Sequence, residues 1–216
     1  MSNYLFKYET IAVNDIDYSI RSLKDRQQFF DFKQRAEALG IFSATWPLFG
    51  VVWPASRVLA ATVCLLELEG KRILEIGCGI ALSSMVLHKM GFDITASDFH
   101  PLAKEFLDSN ILSNKMTPIK FQTGNWEVDN PLLGEFDLII GSDVLYEPAH
   151  SANVSRFIDI HSSSNVDVII VDPNRGNRAK FTKSMIALGY THHFERFDVN
   201  ENESNDCKGR ILHYHR

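Results

Sequence analysis

Long apolar stretches are missing from this chain: no continuous apolar run approaches the roughly 18 residues of a membrane span. The N-terminus, MSNYLFKYETIAVNDID, is broken by Lys7, Glu9, Asp15 and Asp17 before an export leader's apolar segment can form. Neither membrane insertion nor export is expected. Cysteine is scarce too. Cys64, Cys78 and Cys207 stand far apart without a CxxC pair, which argues against a disulfide framework or a zinc site and fits a cytoplasmic location. Positive charge is not in excess, since 22 Lys and Arg face 27 Asp and Glu for a net charge of −5. Nucleic acid and acidic membrane surfaces are therefore disfavoured partners. Internal repeats, Pro-rich linkers and low-complexity tracts are absent as well.

What is present suits one folded domain: 216 residues, 45% of them hydrophobic and 23% charged. Residues 1–53 are expected to form an N-terminal hairpin, helix and aromatic loop packed on the core, with the main domain over 54–216. The hairpin comes from two strand-like runs, 4–13 and 16–23, separated by Asn14-Asp15. A helix is expected over 24–39, where Phe29, Phe32, Ala36 and Leu39 recur at helical spacing before Gly40. The Trp-Pro pairs in IFSATWPLFGVVWP make 41–54 an irregular loop, and Pro54 opens a helix expected to run to residue 69.

From residue 72 the pattern alternates between strand and helix, with apolar runs at 72–77, 92–97, 118–123, 136–142 and 166–172. Nearly continuous runs such as VDVIIVD belong to parallel strands covered on both faces. Residues 190–199 and 209–215 read as an antiparallel pair closing the sheet, joined by the polar loop NENESNDCKG, 200–209. The expected fold is α/β: a Rossmann-like three-layer αβα sandwich with a mostly parallel seven-stranded sheet and an antiparallel C-terminal strand.

Chemistry concentrates at the first of these strands. In ILEIGCGIAL, 73–82, Gly77, Cys78 and Gly79 turn from strand to helix, and the glycines let backbone approach a ligand closely. Asp98 ends the next strand about 20 residues on, where a carboxylate accepts both hydroxyls of a ribose. A nucleoside-bearing ligand follows. The third glycine of a dinucleotide fingerprint would fall at Leu82, which weakens NAD. Glu75 near the loop favours a ligand carrying ammonium and sulfonium charge over a pyrophosphate.

These residues resemble the motifs of class I, seven-β-strand S-adenosylmethionine (SAM)-dependent methyltransferases. The segments are ExGxG at 75–79, the acidic strand end Asp98 followed by Phe99, and Asn125-Trp126 after the third strand. The resemblance implies SAM as cofactor, with Asn125 and Trp126 at its adenine. Two more segments, Trp53-Pro54-Ala55 and the DxxY of Asp143 and Tyr146 after Ser142, are similar to the protein-lysine methyltransferases with WPA and DxxY motifs. In that family they border the methyl donor and the target amine. By resemblance, Asp143 and Tyr146 are the catalytic candidates, and Trp53, Glu75, Gly77, Cys78, Gly79, Asp98, Phe99, Asn125, Trp126 and Ser142 the cofactor candidates. Asp172-Pro173-Asn174-Arg175 is similar to the DPxR of the branch that methylates the electron-transfer flavoprotein β subunit. The family's GxGTG departs here to Ile80-Ala81, removing one hydroxyl from the loop.

The implied activity is transfer of methyl from SAM to a lysine of a protein substrate. A small-molecule N-methyltransferase, an NAD-dependent oxidoreductase and a non-catalytic SAM-binding module stand as alternatives. Asp143 also has the chemistry of a helix N-cap, and Trp53 that of a core aromatic. His100 reads as a loop or helix-start residue. His192-His193 has no carboxylate or cysteine pattern around it in sequence, and no metal is assigned.

Overall fold

A computed structural model describes residues 4–199 and 206–216; the expected polar loop lies, at 200–205, outside the described residues. In chain order the elements begin with β1 (Phe6–Val13), β2 (Ile16–Leu23), α1 (Pro54–Val63), β3 (Arg72–Ile76), α2 (Leu82–Lys89), β4 (Asp93–Asp98) and α3 (Ala103–Ser113). They continue with β5 (Lys120–Thr123), β6 (Phe136–Ser142), α4 (His150–Ile160), β7 (Ser162–Asp172), α5 (Arg178–Ala187), β8 (Thr191–Val199) and β9 (Cys207–His215).

The seven main strands form one sheet in the order β5-β4-β3-β6-β7-β9-β8. All are parallel except β9, which runs antiparallel to both β7 and β8. The fold is thus the expected Rossmann-like α/β sandwich. The central strands are buried on both faces: β3 hides Ile73, Leu74, Glu75 and Ile76, and β7 hides Val168 through Asp172. On one face Leu59 of α1, Met85 of α2 and Phe106 of α3 share a core with Ile20 of the hairpin. Phe157 of α4 and Phe181 and Met185 of α5 pack on the other.

The hairpin turns at Asn14 and Asp15, both left-handed at φ 48° and 60°. A two-residue turn of this hand matches the twist of the strands it joins, and Val13 pairs with Ile16 directly across it. Asn110 of α3 and Asn114 at its C-terminal end then treat β2 as a neighbouring strand. Asn110 accepts from the Arg21 N–H at 2.8 Å and donates to its carbonyl at 3.2 Å. Asn114 does the same at Ser19, with 2.9 and 2.8 Å. Asn110 is fully buried, so Asn110→Ala leaves two backbone groups unpaired and is expected to cost about 2 kcal/mol. In a thermal melt that is a fall of about 4–8 °C; an unchanged Tm would contradict this account of how the hairpin is held.

Two expectations need correction. Residues 24–39 do not form a helix; only a single 3-10 turn at Glu37–Leu39 is present. The Asp31 carboxylate gathers the N–H groups of Arg35, Ala36 and Glu37 at 2.7–3.0 Å. Gln28 bonds the backbone of Leu5. Side chains that bond backbone groups in this way compete with the helical ladder, and here they win. Phe29 and Phe32 are left exposed, while Ala36 is buried. The second correction is at α1, which stops at Val63 rather than 69; Leu68 turns inward, nearly buried, to lead into β3.

Candidate functional site

The strand order reverses around β3, which pairs with β4 on one side and β6 on the other. Loops leaving the carboxyl ends of β3 and β6 therefore part company there and open the crevice in which sheets of this kind bind ligands. The first loop is Gly77 to Ala81. Gly77 and Gly79 are left-handed, at φ 57° and 52°. A Cβ on Gly77 would lie 3.0 Å from both the Trp126 ring and Val144, and one on Gly79 only 2.8 Å from the Phe49 carbonyl oxygen. Both conformation and space require glycine.

Glu75 lies beneath this loop at 2% exposure. Its Oε2 accepts the Ser84 N–H at 2.8 Å and the Ser84 hydroxyl, so the carboxylate caps the first turn of α2 from a neighbouring strand. It acts on the site by fixing where strand, loop and helix meet. Burial outweighs the Ser84 bonds and pushes its carboxyl from 4.5 to about 7. Between those values the folded state holds a proton that the unfolded state has lost, so stability is full below pH 4.5 and falls as pH rises through 7. The shift corresponds to on the order of 3 kcal/mol. Glu75→Gln keeps an acceptor for Ser84 without the titration. Its Tm relative to the wild type is expected to improve between pH 5 and pH 8; a difference that is flat with pH would contradict the assignment.

Asp98 ends β4 beside the loop. Its Oδ2 accepts the Gly79 N–H at 2.8 Å and its Oδ1 the His100 N–H at 2.7 Å. A carboxylate has about four lone-pair sites, so two remain for further donors. The Cys78 N–H is held by the Ser97 carbonyl at 3.0 Å, and its thiol is buried. Phe99, Asn125, Trp126 and Ser142 are half-buried around the crevice. Asn125 accepts from the Glu127 N–H at 2.9 Å, which fixes the turn carrying Trp126. His100 stacks flat on Phe49 at 3.7 Å, its Nδ1 accepts the Leu102 N–H, and burial pulls its pKa down to about 3.

The second loop carries Asp143 and Tyr146. Asp143 is left-handed at φ 55°, and its N–H bonds the Val171 carbonyl at 2.9 Å. It caps no helix, because α4 begins at His150. Instead Arg175 forks its carboxylate, with Nε 2.8 Å from Oδ1 and Nη2 2.6 Å from Oδ2. The same guanidinium lies 5.9 Å from the Trp53 ring, with Arg26 4.8 Å from that ring. The Trp53 N–H is anchored on the Leu48 carbonyl at 2.9 Å. Tyr146 stands edge-on to His150 at 4.5 Å, and His150 edge-on to Trp126 at 5.0 Å. Tyr146 keeps 41% of its surface exposed. Burial of the remainder and the charges of Asp98, Glu147 and Asp143 push its phenol up to about 12, so it stays protonated at neutral pH.

The sequence-derived candidates therefore gather at one end of the sheet in two groups, the glycine loop with Asp98 and Trp126, and Asp143 with Trp53. The contact between the Gly77 position and Val144 joins them. Sequence reasoning gave no role to three residues now seen here. Arg175 was visible only within a short DPxR match. His150 stands four residues beyond Tyr146, and Arg26 sits in the segment taken for a helix.

Comparison with known proteins extends this picture. The sequence model of the lysine methyltransferase family matches residues 45–187, more than half of the chain. The chain is 33% identical over 115 residues to the protein N-lysine methyltransferase METTL21A of Danio rerio, covering 48% of this chain and 52% of that one. With the histone-arginine methyltransferase METTL23 of Rattus norvegicus it shares 33% identity over 105 residues, covering 45% and 46%. The matched part thus spans about half the length of these curated relatives. Among solved structures, a methyltransferase from Pyrococcus furiosus superposes with a TM-score of 0.59 at 19% identity, over 75% of this chain and 82% of that one. That likeness speaks for the fold, and the family match over 45–187 for descent: this chain belongs to the lysine methyltransferase family.

Proposed function

We propose that this chain transfers the methyl group of SAM to the side-chain amine of a lysine presented by a protein. One observation carries the reading: the glycine loop and the Asp143–Tyr146 loop touch, with the Gly77 position against Val144. A methyl donor held by the first loop would lie next to an acceptor held by the second. The crevice suits SAM. A side chain at either glycine would fill the cradle, and Asp98 keeps lone pairs for two ribose hydroxyls. Trp126 offers a stacking face and Asn125 an amide edge for adenine. SAM, when bound, supplies an electrophilic methyl carbon on a sulfonium.

The protein's task is then alignment and dehydration. Asp143 attracts the incoming lysine, and Tyr146 gives it an aromatic wall and a hydroxyl. Lysine reacts only after losing its proton. A lone carboxylate would oppose that loss by stabilising the ammonium; Arg175, forked on Asp143, offsets the negative charge and favours the neutral amine. The proton leaves to solvent.

A protein acceptor is also consistent with the exposure of Tyr146 and Glu147 beside the crevice. The division into an N-terminal segment packed on the core, 1–53, and a SAM-dependent methyltransferase domain, 54–216, is part of this proposal, as is a cytoplasmic location. No helix among the described residues is long and apolar enough to cross a membrane. Incubation with tritiated SAM and a cell lysate is expected to label acid-precipitable protein. Label confined to small molecules would sink the protein-acceptor reading. Stabilisation by NAD but not by SAM or its demethylated product in a thermal-shift titration would overturn the cofactor.

A further inference from the structure

Away from the crevice, strands β8 and β9 place three metal-ligating side chains on one face of the sheet edge. His193 pairs directly with His213 across the two strands, and Glu195 follows His193 by two residues, so it projects from the same face. In sequence this is only an H-x-E and a distant histidine. The sheet converts it into a cluster in which one ligand atom from each residue lies within 4.8 Å of the others. The two imidazoles are parallel, 4.5 Å apart with 2° between their planes. His213 Nε2 is 3.7 Å from a Glu195 oxygen and has no hydrogen-bond partner among the described residues, although the atom itself is buried. His193 and His213 also line a cavity of about 260 Å³ shared with Leu68, Leu138, Asp167 and His215.

We infer that His193, Glu195 and His213 form a binding site for a late first-row divalent transition metal, zinc being the reference ion. Ligands around tetrahedral zinc stand about 3.4 Å apart when the bonds are ~2.0–2.1 Å. His193 and Glu195 are exposed, which leaves their side chains free to rotate toward that spacing. Two imidazoles and one carboxylate favour zinc, nickel or copper over magnesium or calcium. Three protein ligands leave a fourth position open toward the cavity. The ion would tie the edge strand β8 to β9, and it belongs to neither the SAM crevice nor Asp143.

The test uses the full chain after treatment with a chelator. Titration with zinc chloride in a calorimeter is expected to give one equivalent bound. A saturating excess, about a hundredfold over Kd, should raise Tm by about 5–10 °C, and magnesium should do neither. His213→Ala and Glu195→Gln are each expected to weaken zinc binding at least about tenfold. His192→Ala, on the opposite face of β8, and Cys64→Ser leave it unchanged. If His213 proves necessary for folding, His193→Gln on the exposed strand carries the same expectation. Absence of zinc uptake overturns the site, as does uptake that persists undiminished in His193→Gln and Glu195→Gln.

Discussion

Asp143→Asn is expected to lower kcat/KM for a protein acceptor by about a hundredfold or more, the scale on which a positioned acid-base or charge-bearing group acts. The SAM Kd should change by less than about threefold, because the cofactor cradle rests on Gly77, Gly79 and Asp98. Asparagine is the informative replacement. The residue is left-handed at φ 55°, a conformation asparagine tolerates better than most, and its amide oxygen still accepts one bond from Arg175. Fold and loop geometry are thereby kept while the charge that draws a lysine is removed. SAM affinity comes from calorimetry, and methyl transfer from single-turnover measurements on a labelled acceptor. A variant with normal transfer would move the acceptor site away from Asp143.

The second large effect is a change in pH dependence. Arg175 spends two hydrogen bonds on Asp143 at 2.8 and 2.6 Å while lying over Trp53. In Arg175→Ala the Asp143 charge stands unopposed, so a lysine bound there is stabilised as its ammonium and its pKa rises. Only the neutral amine attacks. The alkaline-rising limb of kcat is accordingly expected to move up by about one pH unit, and the rate at pH 7.5 to fall about tenfold and recover at higher pH. Arg175→Lys restores a cation without the fork and is expected to fall between the two. A uniform loss with an unmoved profile would mean that Arg175 merely holds the loop.

Much of this was legible beforehand, for reasons local to each segment. Apolar strands such as VDVIIVD carry their burial on both faces in composition alone, and the left-handed turn residues Asn14 and Asp15 mark the hairpin. The crevice was legible because strand-end motifs in a parallel sheet converge at the switch in strand order. The segment 24–39 misled because its apolar spacing is helical while Asp31 and Gln28 satisfy backbone groups by side chains, and spacing does not register that competition. Glu75 was located correctly at the loop, but its bond to Ser84, nine residues on, is tertiary. Arg175 and Asp143 lie 32 residues apart, and the pairing of His193 with His213 depends on the register of β8 against β9. Chemistry that crosses strands emerges only when the strands are aligned.

The most direct measurement is peptide mapping by mass spectrometry of lysate proteins incubated with this chain and isotopically marked SAM, with Asp143→Asn in parallel. The account predicts the marked methyl on the Nε of a lysine, and its loss in the variant. Marked methyl found only on arginine or histidine, or absent from protein altogether while SAM is consumed, would contradict it.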